Sequence, residues 1–214
     1  MFKMVQVKKN ALLRNCMKKR ILDLILAMVG LILVSPLFLM CILTTYLLSG
    51  RPIFFTQYRL GKDGRIFKLW KFRTMEVNAQ HVVLSCPVYS VMYAKNFKIL
   101  CTDNNLVTRW GRIMRKTSMD ELPQLANVLL GDMSIVGPRP IVLPEIKKYG
   151  SYGQKLLTVN PGLTGYWQIS GRNKIDYPAR AYMDMYYIDH QSLAFDVNII
   201  ARTFWVLLTM EGSM

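Results

Sequence analysis

The segment that most limits how this 214-residue chain can fold is residues 21–48, ILDLILAMVGLILVSPLFLMCILTTYLL, which holds a single charge, Asp23, near its start. About 20 apolar residues cross a hydrocarbon core of about 30 Å. A straight helix of this run would reach roughly 42 Å at 1.5 Å per residue, too long for an upright span unless it tilts. Ser35-Pro36 lies near its centre. Proline supplies no backbone N–H and clashes with the carbonyl four residues back, here Ile32. In lipid that carbonyl needs another donor, and the Ser35 hydroxyl is placed to be one. Two half-length helices that meet at this break and leave by the leaflet they entered satisfy these lengths, and so does one kinked spanning helix. The residues alone leave both open. A signal peptide fits worst, because the run exceeds an ordinary h-region and no small-residue cleavage site follows.

Residues 1–20 carry Lys3, Lys8, Lys9, Arg14, Lys18, Lys19 and Arg20 and no acid, and Arg51 follows the run. Residues 49–214 are basic as well, so both ends of the run favour the cytoplasmic face. The chain thus divides into a basic N-terminal segment (1–20), a membrane helix (21–48) and a cytoplasmic domain (49–214) long enough for one core. Overall, 28 Lys and Arg stand against 13 Asp and Glu, a net charge of +15, and 52% of residues are hydrophobic while 19% are charged. That balance excludes a disordered or collagen-like chain and calls for an anionic partner met at a membrane. Cys16, Cys41, Cys86 and Cys101 form no CxxC pair, and His81 and His190 are far apart. Neither a zinc site nor a disulfide scaffold fits, and the expected compartment is reducing.

Past Gly50, Ile53 to Gln57 and Ile66 to Arg73 flank a Gly61–Arg65 turn and predict a β-hairpin. In the second strand Ile66, Lys68, Trp70 and Phe72 share one face and Phe67, Leu69, Lys71 and Arg73 the other. Residues 76–107 lack periodicity and read as a loop with short elements. RWGRIMR, residues 109–115, predicts a basic helix, and residues 122–130 a second one closed by Gly131. GPRP, residues 137–140, must be rigid and non-helical, since two prolines lock alternate φ angles. Residues 144–157 read as a surface helix, 161–165 as a turn, 166–169 as a strand, and 178–210 as largely helical. There Phe195, Ile199, Ile200, Phe204 and Leu207 form an amphipathic face, which suits core packing better than membrane contact. The expected class is α+β, mostly helical: a small β-hairpin and interfacial amphipathic helices behind the membrane segment.

The sharpest chemical feature is KTSMDELP, residues 116–123. Two adjacent carboxylates, Asp120 and Glu121, follow Arg109, Arg112, Arg115 and Lys116. Neighbouring cations and a helix N-terminus favour ionised carboxylates, and an ionised Asp is a competent covalent nucleophile. The same residues also match a capping box, Ser118-x-x-Glu121, with Asp120 an alternative N-cap and Pro123 in the first turn. Lys71, Arg73 and Arg139 sit in constrained segments and suit phosphate recognition. A diphosphate beside an attacking carboxylate implies a bridging Mg²⁺, held by Asp120 and shared with the substrate phosphates. Neither a GxxxxGK[ST] nor a GxGxxG loop is present, so no P-loop or dinucleotide fold is indicated.

The chain resembles the bacterial sugar transferases, monotopic phosphoglycosyl transferases of the small kind made of the catalytic domain alone. The blocks that carry the resemblance are residues 18–36 with the Ser-Pro break, FKLWKFRTM (67–75), RKTSMDEL (115–122), LGDMSIVGPRP (130–140) and PGLTGYWQISGRN (161–173). The resemblance implies transfer of a sugar 1-phosphate from a UDP-sugar to undecaprenyl phosphate, with release of UMP, at the cytoplasmic face of the bacterial inner membrane. It makes Asp120 the nucleophile of a phosphosugar–enzyme intermediate and Glu121 its assistant, with Mg²⁺ as cofactor. Lys71, Arg73, Arg115, Arg139 and Arg172 fall on phosphate-binding positions. Residues 21–48 become a re-entrant helix broken at Ser35-Pro36. A homo-oligomer is compatible and nucleic acid is not a partner. The segment 76–107, with Cys86-Pro87 and Asp103-Asn104-Asn105, and the run from Asn173 to Tyr177 depart from the pattern and bear on sugar and nucleotide preference. The competing class is a membrane-anchored basic module that binds anionic lipid or nucleic acid without catalysis.

Overall fold

A computed structural model describes the backbone of residues 2–97, 99 and 106–209, and their side chains apart from residues 2–15, 96 and 173. Asp103-Asn104-Asn105 and the side chains of Lys3, Lys8, Lys9 and Arg14 lie outside the described residues.

The apolar run and the basic segment before it form one helix, α1 (Phe2–Ser49), with Pro36 inside it. The part at Cys16–Ser49 is long and apolar enough to cross a membrane by length and composition. The backbone stays helical through Ser35-Pro36, so two helices parted by a break are not seen. The Ser35 hydroxyl donates to Ile32 O at 2.8 Å, which satisfies the carbonyl that proline orphans. From Lys19 onward α1 lies along the domain. Lys19 Nζ reaches Asp196 Oδ2 at 2.6 Å and Val136 O at 3.0 Å. Asp23 is buried, accepting from the Ser134 hydroxyl (2.8 Å) and the Ile135 N–H (3.0 Å). Ala27 enters the main core, and Cys41 packs with Phe72 and Met114.

The hairpin forms from β1 (Phe54–Leu60) and β2 (Ile66–Phe72), antiparallel with Phe54 opposite Phe72 and Leu60 opposite Ile66. Phe67 and Leu69 face the core while Ile66, Lys68 and Trp70 are exposed. Phe72 turns instead onto Phe38 of α1, ring centroids 5.0 Å apart. The described part of the aperiodic segment holds two helices, α2 (Ala79–Ser85) and α3 (Pro87–Asn96), with Pro87 in the first turn of the second. The basic helix is α4 (Arg109–Thr117), N-capped by Thr108. A single 3₁₀ turn, Met119–Glu121, leads to α5 (Gln124–Leu130), which ends at Gly131 with φ 92°.

Two local expectations are reversed. PGLTG is not a turn: Gly162–Thr164 is β4, parallel to β3 (Ser134–Val136). A Cβ on Gly162 would lie 2.1 Å from Gly137 N, so only glycine permits this approach. Residues after it are not a strand but α7 (Tyr166–Ser170). Its bulky residues satisfy both patterns over so few positions, and length alone could not separate them. The expected surface helix is a kinked 3₁₀ segment, Leu143–Tyr152, followed by α6 (Gly153–Leu156). The chain closes with α8 (Ala179–Asp189) and α9 (Leu193–Thr209). Ile199 is fully buried with Phe195 and Ile200 packed beside it, whereas Phe204 is exposed. The fold is mostly helical, with two small two-stranded sheets.

Candidate active site

Three segments bring the chemistry together. Ser118 ends α4 in the left-handed region (φ 59°) and turns the chain so that Asp120 and Glu121 sit on the following 3₁₀ turn. β2 delivers Lys71 from its inner face. The Gly137–Pro140 segment, pinned between β3 and β4, delivers Arg139. These residues line a cavity of about 300 Å³ with Arg115 from the last turn of α4 and Arg172 from beyond α7. Among the described residues six cations and two carboxylates line it: Arg59, Lys71, Arg115, Arg139, Arg172 and Arg180 against Asp120 and Glu121. The opposite wall is largely apolar and comes from α2, α3 and the residues beyond, including Val83, Leu84, Tyr93 and Phe97.

The capping-box alternative is not built. Ser118 makes no side-chain cap bond, and its hydroxyl accepts from Arg172 Nη2 at 2.9 Å. The dyad is asymmetric. Lys71 Nζ donates to Glu121 Oε1 at 2.6 Å but lies 3.9 Å from Asp120 Oδ2. Burial alone would raise both carboxyls. For Glu121, Lys71, Arg139 and Arg172 outweigh burial and hold the carboxyl well below its usual range. For Asp120, burial and the adjacent Glu121 charge outweigh the more distant Lys71, and its carboxyl is pushed up to about 6. One carboxylate is therefore permanently paired, while the other is a more basic, less compensated oxygen facing the cavity.

Of the expected site residues, Asp120, Glu121, Lys71, Arg115, Arg139 and Arg172 converge. Arg115 also braces the site, donating through Nε to Thr74 Oγ1 and through Nη1 to Ile99 O, both at 2.9 Å. Arg73 does not join them. It is buried elsewhere, donating to Ser49 O and, at 2.9 Å, to Gly50 O, so it closes the C-terminus of α1. Arg73 lies just past the end of β2, and although strict alternation would place it on the face of Lys71, its side chain meets the last carbonyls of α1 rather than the cavity. Arg59 and Arg180, outside the motif blocks, and Trp167 and Gln168, inside the 161–173 block but given no role there, also line the cavity. Arg59 was recoverable: Phe55, Gln57 and Arg59 alternate along β1, and polar residues on the inward face of a strand ask for an internal partner. Arg59 Nη1 donates to Pro140 O at 2.9 Å and so steadies the segment that bears Arg139.

Among the described residues no group of three or more His, Cys, Asp or Glu side chains converges. A metal held by protein alone is thus not built. One carboxylate with room beside it fits the manner in which Mg²⁺ is held, by few protein ligands and the substrate's own phosphates.

The family model described as bacterial sugar transferase matches residues 14–210. The undecaprenyl-phosphate galactose phosphotransferase of Salmonella typhimurium is 39% identical over 199 residues, 91% of this chain and 41% of that protein. The exopolysaccharide production protein ExoY of Sinorhizobium fredii is 40% identical over 199 residues, 91% of this chain and 87% of that protein. The UDP-glucose:undecaprenyl-phosphate glucose-1-phosphate transferase of Escherichia coli is 37% identical over 198 residues, 88% of this chain and 40% of that protein. The chain thus spans less than half the length of the first and third relatives and most of the second.

Proposed function

This chain belongs to the bacterial sugar transferase family, and on that premise we propose that it transfers a sugar 1-phosphate from a UDP-sugar to undecaprenyl phosphate, releasing UMP. The observation that carries the reading is the unequal sharing of Lys71 between two buried carboxylates inside a cavity with a surplus of cations. A binding module for anions has no use for such a pair. The names of the Salmonella and Escherichia relatives support the acceptor and the reaction, and that of the Sinorhizobium relative supports a place in exopolysaccharide assembly.

In the first half-reaction an Asp120 carboxylate oxygen attacks the sugar-bearing phosphorus. The bond from that phosphorus to the bridging oxygen breaks, and the nucleoside monophosphate leaves with the electron pair. Polyprenyl phosphate then attacks the same phosphorus, and the Asp120–phosphorus bond breaks to restore the carboxylate. Glu121, kept anionic by Lys71, holds that ammonium at the transferring group. Arg115, Arg139 and Arg172 offset the charge gathered on the phosphates. An Mg²⁺ shared between Asp120 and the diphosphate would lower like-charge repulsion on approach.

We read α1 as re-entrant. Lys19, Gly30 and Thr45 all meet the same domain: Lys19 bonds Val136 O, a Cβ on Gly30 would lie 3.7 Å from Leu125, and Trp110 Nε1 donates to Thr45 Oγ1 at 3.0 Å. A helix that crossed the bilayer would carry one end away from that domain. The enzyme then sits on the cytoplasmic face of the inner membrane, with Ile25, Ile32, Leu33, Leu39 and Leu43 exposed to lipid.

The test is UMP release by the full chain in lipid nanodiscs, over a panel of UDP-sugars with undecaprenyl phosphate as acceptor. At least one sugar supports turnover, Asp120→Asn abolishes it, and EDTA abolishes it reversibly. An Asp120→Asn variant with parental turnover would remove Asp120 from its role.

A further inference from the structure

Away from the dyad, the cavity wall holds a second cationic group, Arg180, one of whose buried donors makes no hydrogen bond. Arg180 is 2% exposed and Trp167 4%. Arg180 Nε donates to Ile175 O at 2.6 Å, but its Nη2 is buried without a hydrogen-bond partner, 3.7 Å from Asp176 Oδ1. Its guanidinium lies 4.6 Å from the Trp167 ring centroid and 5.5 Å from that of Tyr177, which fixes its plane. Trp167 Nε1 is likewise buried and unpartnered. Arg139, between this pair and the dyad, hydrogen-bonds to no described residue. Burial first, and then the charge of Arg139, press the Arg180 guanidinium below its ordinary range. Buried donors left open are costly, and fixed guanidinium groups match phosphate oxygens.

We propose that Arg180, Arg139 and the Trp167 N–H form a seat for a phosphate monoester, separate from the dyad and used in both half-reactions. This rests on the transferase reading and deepens it. The phosphorus that carries the sugar meets Asp120, among Lys71, Arg115 and Arg172. The group displaced from that phosphorus is a nucleoside monophosphate, and the group that later attacks it is polyprenyl phosphate. Both are phosphate monoesters, and both must lie across the phosphorus from Asp120 for in-line displacement. A monoester dianion offers three terminal oxygens and two charges, and the seat offers two guanidinium groups and an indole N–H. The departing product must vacate the seat before the acceptor enters, so UMP competes with the lipid.

The test uses the full chain in nanodiscs. Inhibition by UMP, UMP and uridine binding by calorimetry, and KM for undecaprenyl phosphate are measured for the parent, Arg180→Gln, Arg180→Lys and Trp167→Phe. Arg180→Gln weakens UMP and raises the KM for undecaprenyl phosphate, each by roughly 10–100-fold, with uridine binding unchanged. Arg180→Lys recovers much of both, and Trp167→Phe, which removes one donor and keeps a ring, loses several-fold of each. Equal loss for uridine and UMP would overturn the seat in favour of a base contact. Loss for UMP alone would overturn its sharing with the lipid. Unchanged UMP affinity in a variant that still turns over would overturn the seat and leave the reaction standing. If the parent turns over no UDP-sugar yet binds UMP in an Arg180-dependent way, the seat stands and the reaction reading falls.

Discussion

Lys71 has one ammonium and two carboxylates in reach, and its choice of Glu121 divides the labour of the dyad. An acid whose folded pKa is above its unfolded one contributes stability below the unfolded value and withdraws it as pH climbs to the folded one. For Asp120 that window runs from 3.8 to about 6. Asp120→Asn therefore stabilises the protein at pH 7.5, on the order of 1–3 kcal/mol, while abolishing turnover. Thermal unfolding at pH 7.5 with an unchanged or lower midpoint would contradict the unfavourable burial of that charge. Glu121 has the opposite sign: its contribution is present above 4.5 and disappears as pH falls through its depressed folded value. Lys71→Met removes the cation nearest both groups. The acid limb of kcat/KM is expected near pH 6 in the parent, where the Asp120 carboxyl is pushed up to about 6, and at higher pH in this variant; an unmoved limb would assign it to another group. The dyad and three of its arginines were legible because charged residues sit in short rigid blocks. Arg73 was misplaced because a strand's alternation tells which residues share a face but not what each end of that face meets.

At the scale of elements, hairpin, basic helix and C-terminal helices follow from patterning, and the failures occur where a segment is short. Residues 162–170 form a strand where a turn was expected and a helix where a strand was expected, because three to five residues cannot display a period; tertiary contacts with β3 and α8 decide instead. Residues 79–96 are helical without a clean stripe because one side lines the cavity while Val82, Val88, Val91 and Met92 stay exposed. α4 shows how tightly the site's supports are fitted. A Cβ on Gly111 would lie 2.0 Å from Thr74 O, a backbone atom that cannot yield. Gly111→Ala therefore displaces α4 and with it Arg115, costing about 2–3 kcal/mol by overpacking. Denaturant unfolding that shows no loss would mean α4 is free to slide. Asp23→Ala strips the acceptor from the Ile135 N–H and the Ser134 hydroxyl, a loss of about 1–3 kcal/mol in the same measurement.

At the scale of the molecule, a buried polar lock at one end of α1 and apolar packing at the other hold an exposed apolar helix along a basic domain. In the sequence the length of the run, the Ser35-Pro36 pair and the basic groups at both ends raised this without deciding between a re-entrant and a spanning helix. The contacts of Lys19, Asp23, Thr45 and Ser49 with one body support the re-entrant reading proposed above. An impermeant maleimide added to inside-out vesicles modifies both Cys16, which is exposed, and an Arg51→Cys variant, and added to intact spheroplasts modifies neither. Labelling of the two from opposite sides would make α1 a span. The proposed transfer requires that a water-borne diphosphate and a membrane-borne phosphate reach Asp120 in turn. The direct test is peptide-level mass spectrometry of the full chain quenched in acid after mixing with UDP-sugar alone, without lipid acceptor. The expected product is a sugar-phosphate adduct on the peptide bearing Asp120, formed in step with UMP and lost when undecaprenyl phosphate is added. UMP formed only with both substrates present, and no adduct at any time, would contradict the two-step transfer.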